Sequence, residues 1–461
     1  MSDVPANRPR RIQKVGQEQR RPTQPQQEQS GSSGTNRPNN WRPPAISSLD
    51  DTGLSSLNIA DLVLKVVYSS GDMTGHQISE VVKLPYNGVL DSIVEFLKRE
   101  KMLDYKGGGG IGEASYRYVI TEKGGDRARE ALERSQYAGA APVNVNHYIE
   151  AMKAQNAERP PIHQAELRGL MTNLVIEDEM LSKVGPAVNS GKSIFLYGPP
   201  GNGKTTIAER VGEMILGQDL WIPYALDVDG QVIQLFDEIN HRVSTSPPNF
   251  HLRPGEVLDP RWILIKRPMI MVGGELTMAG LDLVYDEINK FYEAPFQMKA
   301  NGGMFLIDDF GRQQVRPVEL LNRWIVPLET GVDFLTLNNG RKIGIPFFVM
   351  TIFSTNLDPK DLVDEAFLRR IRHKIEVGNP SFEQFREIFK IMCRITKVPY
   401  DEQGLAYLLK EWYINHDRDL RFVHPRDLLS QLIDIAGYLD VPPTLTKDLI
   451  DRAAASYFVE L

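Results

Sequence analysis

The chain has 461 residues, 41% of them hydrophobic and 25% charged, with a formal net charge of −7; that is apolar material for about three domain-sized cores and the wrong sign for a protein that coats nucleic acid non-specifically. Its one cysteine, Cys393, excludes an internal disulfide and reads as a small buried apolar residue on a helix. No apolar run reaches the roughly 18–20 residues of a membrane span, and no apolar stretch of a secretory signal follows the charged N-terminus, so a cytoplasmic protein is expected.

Residues 1–55 are rich in Gln, Pro, Arg, Ser and Gly, with almost nothing to bury, and a disordered tail is expected there. Arg8, Arg10, Arg11, Arg20 and Arg21 make it basic. Structure is expected from about Leu57, where Ile59, Leu62, Val63, Val66 and Val67 form a helical stripe. Thr74 can cap a second short helix running to Val82, and Pro85 opens a third with Leu90, Ile93, Val94 and Leu97 inward. Leu103 to Tyr105, a glycine turn and Tyr116 to Ile120 follow as a two-stranded ribbon, then a helix from Thr121. Over residues 56–135 this pattern resembles a winged-helix domain, and Tyr118 to Gly124 looks like the end of the wing in many bacterial regulators. Gly107, Gly109 and Gly112 satisfy G-x-G-x-x-G, but a dinucleotide fingerprint needs a helix straight after it. A strand comes next, so these glycines read as a wing tip. Residues 136–161, rich in Ala, Asn, Gln and Pro, read as a linker with one short helix over His147 to Ala154.

From about Ile162 to Gly378 apolar strands alternate with helices, as in an α/β core. Ser193 to Tyr197 has strand character. Gly198-Pro199-Pro200-Gly201-Asn202-Gly203-Lys204-Thr205-Thr206 then contains a full G-x-x-x-x-G-K-[ST] loop, and a helix runs to Leu216 with Ile207, Val211, Ile215 and Leu216 on one face. Strand, glycine-rich loop and helix start are the context that makes this a phosphate site. The glycines let the backbone wrap the phosphates while free N–H groups at the helix start point at the anion. Lys204 can reach the β- and γ-phosphates and Thr205 can hold Mg²⁺. The reading is a site for a nucleoside triphosphate. Residues 217–299 contain Trp221 to Tyr224 and an Asp227–Gly230 turn and receive no assigned role.

Gly302 to Asp309 is a buried strand ending in two carboxylates. Asp308 would hold Mg²⁺ through water, and Asp309 would orient or deprotonate the attacking water. A helix over Val318 to Glu329 precedes two short alternating segments joined by Asn339-Gly340, a strong hairpin signal. Phe347 to Thr355 is a second apolar strand, ending at Asn356, whose amide can hold the water between Asp309 and the γ-phosphate. Ala366-Phe367-Leu368-Arg369-Arg370-Ile371 follows. From Asn379 onward the pattern is helical: Ser381 with Gln384 forms a capping box, and Pro425 and Thr444 stand near later helix starts. No internal repeat is evident.

In this order the motifs resemble the AAA+ ATPases over roughly residues 162–461: Walker A, Walker B, sensor 1, arginine finger, sensor 2 and a helical lid. The hairpin before sensor 1 looks like the branch of MoxR ATPases, magnesium chelatase subunits and activators of the alternative bacterial sigma factor. Ala300 to Asp309 is close to those activators; Glu365 to Arg370 and Gly378 to Ser381 look closer to MoxR. The resemblance implies an α/β fold with a P-loop AAA+ core over 162–378 and a helical lid over 379–461. It implies Asn356 as sensor 1, Arg370 or Arg369 as the finger acting on the next subunit's ATP, and Arg426 as sensor 2. It further implies ATP and Mg²⁺ as cofactors, a ring of identical subunits, hexameric by expectation, and a protein or protein–DNA client. DNA could be met through the winged-helix domain; the other reading is a DNA-binding regulator that uses ATP as a switch. Two features depart from the pattern. The Walker B strand ends Asp-Asp where most relatives have Asp-Glu, and Gly274 to Ala279 only loosely echoes the sigma activators' client loop.

Overall fold

The computed structural model describes residues 41–107, 112–157, 161–171, 174–245, 257–362 and 368–458. The chain divides into two units, Met1–Pro38 and Asn39–Leu461; the described residues fall in the second. The expected disorder and arginines of residues 1–40, Gly109 of the glycine turn, and Glu365, Ala366 and Phe367 before the arginine pair lie outside the described residues.

The chain opens with an N-terminal module: helix Ser56–Ser70, β1 (Asp72–Thr74), helices Gly75–Val82 and Asp91–Arg99, β2 (Leu103–Tyr105), β3 (Arg117–Ile120) and helix Glu122–Arg134. Local side chains set these boundaries. Ser55 accepts from Asn58 N, Thr74 and Gln77 form a capping box, and Thr121 accepts from Gly124 N, each satisfying donors left over at a helix start. The ribbon is three-stranded, in the order β1-β3-β2, because Asp72 to Thr74 add an edge strand against Arg117 to Val119.

Next come β4 (Val143–Asn144), helix Val145–Asn156, β5 (Ile194–Tyr197), helix Lys204–Leu216, β6 (Asp219–Pro223), β7 (Ala225–Val228), β8 (Gln231–Gln234) and β9 (Trp262–Lys266). β10 (Met269–Val272), β11 (Val284–Asp286), β12 (Phe291–Glu293), β13 (Met304–Ile307), helix Pro317–Thr330, β14 (Val332–Thr336), β15 (Lys342–Pro346), β16 (Met350–Thr355) and β17 (His373–Glu376) follow. The C-terminal end is helical: Phe382–Thr396, Glu402–Leu408, His424–Tyr438 and Lys447–Tyr457. The fold is α/β, with a five-stranded parallel sheet in the order β10-β13-β16-β5-β17. β13 and β16, the two strands ending in polar groups, are buried along their whole length, as central strands covered on both faces must be. The Asn339-Gly340 hairpin forms as expected, antiparallel between β14 and β15.

Two expectations about the N-terminal third are corrected. Residues 41–55 were expected to be disordered, yet Trp41 packs on Trp262 with ring centroids 5.1 Å apart, and Ile46, Leu49 and Leu54 pack on the core of the N-terminal module. A few spaced apolar residues anchor an otherwise polar stretch. Residues 136–161 are not a free linker either. β4 pairs with β7 in a second sheet ordered β11-β12-β8-β7-β4, and helix Val145–Asn156 buries Tyr148, Ala151 and Met152. Ala141 N donates to Val82 O at 2.7 Å. The fully buried Arg261 donates through Nη1 to the carbonyls of both Thr52 and Pro142, and pairs with Asp259. The alanines that suggested a linker are small residues that let segments approach closely.

The structure also brings out a repeat that the sequence reading passed over. Phe236-Asp237-Glu238-Ile239-Asn240 and Tyr285-Asp286-Glu287-Ile288-Asn289 share an aromatic-Asp-Glu-Ile-Asn pattern. In both, the aspartate accepts from the isoleucine N–H through Oδ1 and from the asparagine Nδ2 through Oδ2. Each turn lifts its isoleucine into solvent, Ile239 at 94% and Ile288 at 81% exposure. β12 runs parallel to β8 and antiparallel to β11, so the two turns stand at opposite ends of the second sheet.

Candidate functional site

β5, β13 and β16 lie side by side and deliver the phosphate loop, the two aspartates and Asn356 to one edge of the sheet, the carboxyl-terminal edge where open α/β sheets bind ligands. The loop's glycines are needed there. Gly198 has φ +138°, and a Cβ on it would lie 2.3 Å from Val377 O. Gly201 has φ +76°, and a Cβ would meet Val423 Cγ1 at 2.7 Å. Only glycine combines that backbone with that closeness.

Lys204 is 6% exposed. Its Nζ donates to the carbonyls of Gly198 and Pro199, 2.9 Å each, and to Asn356 Oδ1 at 2.6 Å. Burial lowers its pKa and Arg421 adds to that; Asp308 and Asp309 pull the other way. Asn356 Nδ2 donates to Asp309 Oδ1 at 3.0 Å, so one amide bridges the lysine and the second carboxylate. Thr205 Oγ1 donates to Asp308 Oδ2 at 2.8 Å. Asp309 has φ +49°, and its N–H donates to Asp308 Oδ1 at 3.0 Å. Five side chains from three strand ends thus meet as two linked sets, Lys204–Asn356–Asp309 and Thr205–Asp308. The hydroxyl–carboxylate pair is an all-oxygen donor set suited to Mg²⁺. Asp309 is joined to Lys204 through the Asn356 amide.

The remaining expected residues are placed differently. Arg426 begins helix His424–Tyr438, pairs with Asp427 and is largely exposed. It lines a cleft of about 550 Å³ that also takes in Gly201 to Gly203 of the phosphate loop. Arg370 pairs with Glu329 at the end of helix Pro317–Thr330, and Arg369 is exposed; the two linked sets include neither arginine. Pro199, Pro200 and Thr206 lie on the loop and its helix.

Sequence reasoning missed the apolar wall of that cleft, made by Leu174, Ile176 and Met180 facing Ile388, Met392 and Ile395. An apolar lining beside a phosphate loop suits a nucleobase. It also missed how the loop is tied to the helical end. Asn202, 3% exposed, donates to Gly378 O and to Asn379 Oδ1, 2.9 Å each. Arg421 Nη1 donates to the same Asn379 Oδ1 at 2.6 Å, and Val423 N donates to Gly201 O at 2.9 Å. The available signal was a polar cluster, Gly378-Asn379-Pro380, directly after a core strand. Among the described residues no cluster of His, Cys, Asp and Glu has the makings of a further metal site, and no helix is long and apolar enough to cross a membrane.

Residues 381–456 match a family described as a domain of unknown function, DUF8689. A vesicle-fusing ATPase of Dictyostelium discoideum is 26% identical over 227 residues, which is 49% of this chain and 24% of that protein. The chain therefore corresponds to about a quarter of that relative's length. Among solved structures, NtrX of Brucella abortus in complex with ATP aligns with TM-score 0.38 at 14% identity, covering 61% of this chain and 56% of that one. A mutant RuvB of Thermotoga maritima aligns with TM-score 0.34 at 13% identity, covering 65% and 73%. Such scores add nothing to the fold described above. The sequence match supports a relationship to AAA+ ATPases.

Proposed function

We propose that this chain is an AAA+ ATPase that hydrolyses Mg²⁺–ATP and works as a ring of identical subunits on a protein client. The observation that carries the reading is the Lys204–Asn356–Asp309 bridge beside the Thr205–Asp308 pair. Its parts come from the phosphate loop and from two separate strand ends, and they meet at the one edge of the sheet where the loop opens. The base enters the apolar cleft between Ile176 and Met392, and the phosphates follow the loop toward Lys204. Lys204 then exchanges its loop carbonyls for β- and γ-phosphate oxygens. Thr205 and Asp308 would hold Mg²⁺, which supplies positive charge to the phosphate oxygens. Asp309 accepts the proton of the attacking water, and Asn356 keeps that carboxylate aimed.

Arg426 reaches the cleft from the lid, and Arg370, with Arg369 beside it, is assigned to the neighbouring subunit's ATP. The winged-helix-like module serves as the client dock. The solvent side of helix Asp91–Arg99 carries Glu95 as well as Arg99, a mixture that does not favour DNA phosphates. Measuring ATP binding and phosphate release for the intact chain and for Lys204→Ala tests the reading. Loss of both in the variant is expected; normal affinity and turnover without the ammonium would overturn it.

A further inference from the structure

Away from the site, a buried polar cluster grips the opposite ends of the two central strands. Asn301 is 3% exposed, and its amide is fully engaged. Oδ1 accepts from Phe348 N at 2.9 Å, and Nδ2 donates to Pro346 O at 2.8 Å and to Tyr148 Oη at 2.9 Å. The next residue, Gly302, donates its N–H to Phe348 O at 3.2 Å and accepts from Arg267 Nη1 at 2.5 Å. Arg267, 2% exposed, also donates to Asn156 Oδ1 at 2.9 Å and Gln155 O at 3.1 Å. Three parts of the chain therefore converge: the lead-in to β13, the lead-in to β16, and helix Val145–Asn156.

We infer that Asn301, supported by Tyr148 and Arg267, is a positioning residue for hydrolysis, setting the register of β13 against β16 and holding both to helix Val145–Asn156. The inference rests on the ATPase reading. β13 is four residues long and buried on both faces, and its register with β16 runs from Met304 opposite Met350 to Ile307 opposite Phe353. A short, enclosed strand moves as a rod, so a slide at Asn301 reappears at Asp308 and Asp309. At that far end the bond between Asp309 and Asn356 joins the same two strands. There is little slack beside the clamp: a Cβ on Gly302 would come within 2.8 Å of Leu220 and 3.2 Å of Met152, and one on Gly303 within 2.0 Å of Pro268 O. Helix Val145–Asn156 continues from β4 and the segment held by Arg261, so the N-terminal module is fastened to the same clamp. Its pull falls on the hydrolytic pair and leaves the base cleft, built from other segments, untouched.

The experiment compares the full chain with Tyr148→Phe and Arg267→Lys, reading kcat, KM and the dissociation constant of ATP, with thermal unfolding as the check on folding. Tyr148→Phe removes one acceptor while Asn301 keeps Pro346 O and Phe348 N, so this variant retains its fold. The expected result is a fall in kcat of about threefold for Tyr148→Phe and tenfold or more for Arg267→Lys. That scale fits misplacement of catalytic groups by a fraction of an ångström. ATP affinity should stay within about twofold. Unchanged kcat in a folded Tyr148→Phe, or a loss of ATP affinity matching the loss of rate, would overturn the assignment. If hydrolysis by the unaltered chain did not depend on Lys204, the ATPase reading would have failed and the inference with it, an outcome the Lys204→Ala control separates from the other two.

Discussion

At the scale of single residues, the two neighbouring aspartates are held by different partners. Asp308 faces Thr205, while Asp309 turns through a left-handed backbone to face Asn356, a conformation that Asp tolerates better than most residues. Asp309→Asn should therefore keep ATP affinity and lose roughly a hundredfold or more of kcat, the scale of general-base catalysis. Asp308→Asn should raise the Mg²⁺ concentration needed for half-maximal rate and lower the rate less once Mg²⁺ saturates. Steady-state kinetics across a Mg²⁺ titration separates the two, and identical behaviour would cancel the division of labour. The buried strand that carries Asp308 and Asp309 at its end was legible because its signal is local: an apolar run, then two carboxylates. Asn379 and Arg421 were not legible, because they matter only through Asn202, far away in the chain.

At the scale of elements, the start of helix His424–Tyr438 is where the helical end meets the phosphate loop. His424 is half-buried and its Nδ1 lies 2.9 Å from Tyr413 Oη. Burial, with help from Arg421, pushes its pKa down to about 4 from 6.5. Between about pH 6.5 and 4 the unfolded chain takes up a proton that the folded chain refuses at His424, so this contribution to stability is full above pH 6.5 and is lost as pH falls toward 4. Denaturant midpoints at pH 7, 5.5 and 4.5 should fall in that order, with a slope smaller by up to one proton in His424→Gln. An equal slope in the variant would assign the acid sensitivity elsewhere. The neighbouring Val423 closes on Gly201 through a backbone bond, so loosening this helix start should weaken ATP binding over the same pH window.

Elements announced by their own caps and turns were readable in the sequence: the cap at Thr74, the capping box at Ser381, the hairpin at Asn339-Gly340, the strand–loop–helix around Lys204. The second sheet was not. Its strands are only two to four residues long, too short for a period-two pattern, and β4 finds its partner β7 only through tertiary contacts. The apolar cleft was hidden for the same reason, since its lining comes from segments on either side of the parallel sheet in the sequence.

At the scale of the whole molecule, Arg370 pairs with Glu329 in a partly exposed ion pair, a contact worth roughly 0–1 kcal/mol after solvent screening. If Arg370 acts on the next subunit's ATP, Arg370→Ala should bind ATP, lose about 10³-fold in rate, and recover part of it when mixed with Lys204→Ala. Mass photometry with ATP followed by activity of the mixture tests both halves. Mixed assembly without recovery would move the role to Arg369, and a fully active monomer would remove it. The strap formed by residues 41–55 and the buried reach of Arg261 have a consequence of another kind. The segment up to Asn156 is tied to the rest of the described chain by buried side-chain bonds and strand pairing, so chain continuity is not all that keeps the two together. A chain nicked between Asn156 and Ile162 should run as two fragments on a denaturing gel and as one particle on a sizing column. Two halves expressed from separate messages should find each other and restore a single working enzyme.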